Sequence, residues 1–150
     1  MSLETQINND IKQAMLAKDK DVLESLRAIK SALLLLKTSK EAVDGVVPES
    51  VEIATLQKLV KQRRETADIY HQQNRPDLAE AELLQASVIE RYLPQQMDRA
   101  ELETALSSII EEVGAASPRD MGKVMGVASK RLAGRADNKV VSEIVKSLLS

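Results

Sequence analysis

The stretch DVLESLRAIKSALLLLK, residues 21–37, sets its apolar side chains at Val22, Leu26, Ile29, Leu33 and Leu36, a 4-3-4-3 spacing. That rhythm places one stripe along a helix of 3.6 residues per turn and is incompatible with the period of two that a half-buried strand requires. Working outward, Leu3, Ile7, Ile11, Ala14 and Met15 repeat the pattern, so a helix precedes this one, joined to it near KDKD with Asp19 or Asp21 as cap. On the other side, SKEAVDGVVPES (39–50) loses the period and holds Gly45 and Pro48, which marks a loop.

The same reading carries down the chain. Ile53, Leu56, Val60, Ala67 and Tyr70 define a long third helix whose stripe is interrupted by Arg63. It ends near NRPD, where Asn74 or Arg75 precedes Pro76 and the proline starts a fourth helix with Ala81, Leu84, Val88 and Tyr92 inward. Pro94 stops that helix and Asp98 caps a fifth, built on Leu102, Leu106, Ile109 and Val113. Gly114 ends the fifth, and Ser117 with Pro118 opens a sixth that buries Met121, Val124, Met125, Ala128 and Leu132. After Gly134 comes a seventh, with Val140 or Val141, Ile144, Val145 and Leu148. No alternating run argues for a strand. The expected architecture is all-α: an N-terminal four-helix domain over residues 1–94 and a small three-helix domain over 95–150.

Composition agrees with this and narrows the chemistry. Tyr70 and Tyr92 are the only aromatic residues, so the cores must be aliphatic. There is no cysteine, which excludes disulfides, thiolate metal sites and a thiol nucleophile. The start MSLETQINND shows no secretory signal, and the longest apolar run, ALLLL at 32–36, is far short of the roughly 20 residues that cross a bilayer. These features lead to the expectation of a cytoplasmic protein with no membrane association. No phosphate-binding loop, nucleophile elbow or zinc helix is present. The lone His71 reads as a solvated residue near a helix end. No catalytic residue, metal or cofactor is expected. Arg63 is expected to reach an acid, Glu82 or Glu90, on the neighbouring helix.

Charge is segregated. Residues 117–150 hold seven basic and three acidic side chains, whereas residues 1–116 hold 14 and 20. Within the basic part, MGKVMGVASKRLAGRADNK (121–139) sets Gly122 and Gly126 on one face of a helix, where an interior glycine costs about 1 kcal/mol relative to alanine. The bland explanation is that another helix of the chain lies against the two glycines. The functional one is close approach of a polyanion, since Arg135 and Lys139 flank the start of the last helix, where the macrodipole disfavours cations and favours phosphate.

YLPQQM (92–97), DMGKVMG (120–126), GRADNKVVSEIVKSLL (134–149) and, upstream, KQRRETADIY (61–70) with NRPDLAEAE (74–82) resemble the YqeY-like family over almost the whole chain. From about Gln95 the sequence is also similar to the helical tail domain of the B subunit of the tRNA-dependent Asp/Glu amidotransferase. The resemblance implies two all-α parts and a tRNA-binding role; it brings no active site. It marks Gly122, Lys123, Gly126, Lys130, Gly134, Arg135 and Lys139 as residues facing RNA. Asn138 stands where many relatives have glycine or proline, a departure that the turn tolerates. The function expected is a non-catalytic module that binds tRNA or another structured RNA through phosphate and shape. The alternative is an adaptor for a protein partner, docking a helix on the methionine and glycine face, or an accessory factor of a glutamine-dependent tRNA amidotransferase.

Overall fold

Asp19 opens the helix on which the reading turns: its Oδ1 accepts from the Val22 N–H at 3.2 Å, while Asp21 lies in the first turn. The computed structural model describes residues 1–150 and contains seven α-helices. They are α1 (Leu3–Ala17), α2 (Lys20–Lys37), α3 (Glu49–Gln72), α4 (Pro76–Glu90), α5 (Arg99–Val113), α6 (Met121–Arg131) and α7 (Asn138–Leu149). The loop after α2 folds back in a tight turn at Asp44 and Gly45, both at positive φ, and Val43 and Val46 exchange backbone hydrogen bonds across it. There is no strand beyond this isolated bridge.

The chain divides into two compact units, residues 1–93 and 94–150; Pro94, where the first part ends in the sequence reading, opens the second. In the first unit α1 packs on α2, α2 on α4 and α4 on α3. Leu26, Ile29 and Leu33 of the founding stripe are buried with Ile7, Leu56, Val60 and Ile89. The α4 stripe lies in part elsewhere than the sequence reading puts it, although Val88 is buried and Tyr92 half-buried against the same core as expected. Ala79, Ala86, Val88 and Ile89 are buried, whereas Ala81 is exposed and Leu84 remains 40% exposed. The reason is the α3–α4 pairing: the small side chains Ala79 and Ala86, with Ala67 of α3, are all buried, and small contact residues let two helices approach closely. Hydrophobic spacing alone favours the bulky leucines.

In the second unit α5, α6 and α7 pack on one another around Leu102, Leu106, Ile109, Val124, Ala128, Val141, Ile144 and Val145. Asp98 caps α5 with a complete capping box: its carboxylate accepts from Glu101 N, and the Glu101 side chain accepts from Asp98 N. Gly114 ends α5 in the left-handed conformation, φ 68°. Two details differ from expectation. Ser117 makes no capping bond, because Pro118–Asp120 form one turn of 3-10 helix ahead of α6. At the end of α7 it is Leu149 that is buried, with Leu148 41% exposed.

Candidate nucleic-acid interface

Helix α6 turns Val124 and Ala128 fully inward, and Met121 and Met125 pack half-buried against the same core. The face left over carries Gly122, Lys123, Gly126, Ser129 and Lys130, all exposed. A Cβ placed on Gly122 or Gly126 would meet nothing within 4 Å. This corrects the packing explanation of the two glycines, since neither α5 nor α7 of the same unit lies against them. Lys123 and Lys130 stand at i−3 and i+4 from Gly126, so the three share one side of the helix. Lys123 is close enough to Asp120 to help hold that carboxyl below its usual value, although the larger cause is the hydrogen bond from Ala116 N–H at 2.9 Å. Arg131, in the last turn, pairs with Glu112 of α5.

Of the remaining residues of the expected site, Gly134 and Arg135 also hold the unit together. Gly134 is buried at φ 76°, and its carbonyl accepts from the Gln96 side chain at 2.7 Å. The same Gln96 amide reaches Pro94 O at 2.8 Å, Arg135 Nε donates to Gln95 O at 3.0 Å, and Met97 N donates to Arg135 O at 2.9 Å. The segment 94–97 is thus laced to the turn at 134–135, which ties the entry of the unit to the start of its last helix. Gln96 carries no charge and stands 38 residues from Gly134, so nothing local in the sequence marks it.

Lys139 is exposed in the first turn of α7, but the positive end of that helix is not free. Asp137 is the N-cap, and its Oδ1 accepts from Lys139 N at 2.9 Å. An acid of the chain already holds the place the sequence reading gives to a phosphate; counting cations overlooks it. In the first unit, Arg63 donates to Gln85 Oε1 at 3.0 Å and to Leu59 O at 3.2 Å, and Glu90 pairs instead with Arg64. The expected bond between Arg63 and an acid is corrected to one with a neutral amide. His71 is exposed at the end of α3. No three His, Cys, Asp or Glu side chains converge to hold a metal ion, and no helix is long and apolar enough to cross a membrane.

The description "Yqey-like protein" belongs to a family whose pattern matches residues 4–149. The chain belongs to the YqeY-like family. Among its relatives is "Altered inheritance of mitochondria protein 41, mitochondrial" of Pyrenophora tritici-repentis, 26% identical over 147 residues, which cover 96% of this chain and 79% of that protein. The proteins of the same name from Clavispora lusitaniae and Vanderwaltozyma polyspora are each 31% identical, over 76% and 77% of this chain and 66% and 64% of their own lengths. The YqeY-like chain thus spans a little under two thirds of those two relatives. Their names also correct the expectation of a cytoplasmic protein, since all three are designated mitochondrial. The premises of that expectation, no cysteine and no secretory signal, hold equally well for a protein of an organelle.

Proposed function

We propose that the YqeY-like chain is a non-catalytic module that binds structured RNA, tRNA in the first place, by laying the sugar-phosphate backbone along the exposed face of α6. One observation carries the reading: two glycines open to solvent on the same face as Lys123 and Lys130. Glycine in a helix is unfavourable, and here no packing contact compensates for it. A surface thinned to backbone, with cations on either side, admits a phosphate strand closely. No aromatic residue follows Tyr92, so this unit has no ring on which to stack bases, and contacts must go to phosphates and to shape. Arg135 and Lys139 add charge at the turn into α7. Gly134 serves that turn from within.

The adaptor reading has less support on this face, since Met121 and Met125 are half-buried against the core and only the two glycines stand open. The test is titration of the full chain against bulk tRNA over a range of salt. With about four phosphates neutralised, by Lys123, Lys130, Arg135 and Lys139, log K should fall with log salt at a slope of roughly −3 to −4. A flat slope overturns the proposal.

A further inference from the structure

We infer that the cleft between α1, the start of α2 and the end of α4 binds a small zwitterion, a molecule with an ammonium and a carboxylate on a short apolar frame. The cleft, about 450 Å³, opens widely to solvent and is lined by residues of the first unit alone. Its floor is apolar: Ala14 and Leu26 are core residues and Val22 is half-buried.

Over that floor stands Asp10, whose Oδ2 accepts from the Tyr92 hydroxyl at 2.5 Å. Burial, and then the bond to Asp10, raise the Tyr92 hydroxyl well above its ordinary value, so it remains a donor and holds the carboxylate in one orientation. Arg91 lines the same cleft, is exposed, and takes part in none of the ion pairs of the chain. Its charge is close enough to act on Tyr92. Asp19, the other acid of the lining, is engaged as the N-cap of α2, so Asp10 and Arg91 are the charges left to this cleft, and they do not pair with each other.

A simple cation would meet Asp10 but leave the charge of Arg91 opposed to it, and a simple anion would meet the reverse. A ligand with both groups uses both: its ammonium goes to Asp10, its carboxylate to the forked donors of Arg91, and its apolar frame to Ala14 and Val22. If the Tyr92–Asp10 bond served only to fasten α4 to α1, the charge on Asp10 would be dispensable, because asparagine offers the same acceptor oxygen.

The experiment follows amide resonances of the full chain by NMR during titration with norleucine, hexylamine and hexanoate. Norleucine should give saturable shifts on α1 and around Tyr92, with each single-charge analogue about tenfold weaker. Asp10→Asn and Arg91→Gln should each weaken norleucine about tenfold while leaving the melting temperature near that of the parent. The inference is overturned by any of three results: no saturable shift with norleucine, either analogue binding as well, or Asp10→Asn binding unchanged.

Discussion

A single methyl group separates the two explanations of Gly126. It sits inside α6, where alanine is favoured by about 1 kcal/mol, and an added Cβ would meet nothing within 4 Å. Gly126→Ala should therefore raise stability by roughly 0.5–1 kcal/mol, seen as a higher denaturant midpoint with an unchanged slope. The larger Gly126→Leu should be equally harmless to the fold, yet weaken tRNA binding by standing where a phosphate strand would lie. Loss of stability in the alanine variant would mean that the face is covered. The position of the glycines was legible in the sequence; their exposure was not, because Gly122 and Gly126 have the same spacing whether they admit a neighbouring helix or a ligand. Gly134 shows the opposite limit. The sequence reads it as the break after α6 and as a residue facing RNA, whereas the bond of its carbonyl to Gln96, 38 residues away, shows only in the fold.

Helix existence and helix ends were legible wherever the chain supplies its own local chemistry. Asp19, Asp98 and Gly114 cap as their residue types demand, because each bond spans a few residues. What depends on distant partners was lost. The face that α4 buries is chosen by the close fit of Ala79 and Ala86 in the α3–α4 pair, and that fit also brings Gln85 to Arg63 in place of Glu82. Ser117 illustrates a cap-type residue in sequence that makes no capping bond in the fold. The contrast gives a paired measurement. Asp98→Ala removes the carboxylate half of the α5 capping box, leaving the residue 98 N–H to donate to Glu101, and should cost about 1 kcal/mol, whereas Ser117→Ala should change stability by less than about 0.5 kcal/mol. Equal effects of the two substitutions on chemical denaturation would show that the capping box does not stabilise α5.

Across the whole chain, charge asymmetry and helical class were open to reading from composition and period, while compartment was not, because an address is read by other proteins and leaves no trace in the packing of a core. The aliphatic cores raise a further question of cooperativity. Ile7, Leu26, Ile29 and their neighbours form one cluster, and Leu102, Leu106, Ile144 and theirs another, with no buried residue in common. The second unit comprises only residues 94–150, a size at which a single core leaves little margin of stability. Truncating Ile144 or Ile29, both essentially inaccessible, should cost about 2–5 kcal/mol at its own site. If the units are separate domains, Ile144→Ala should collapse amide-exchange protection in α5, α6 and α7 while α2 and α3 keep theirs, and Ile29→Ala should do the reverse. Protection lost to the same extent throughout the chain in both variants would mean that the two cores melt as one.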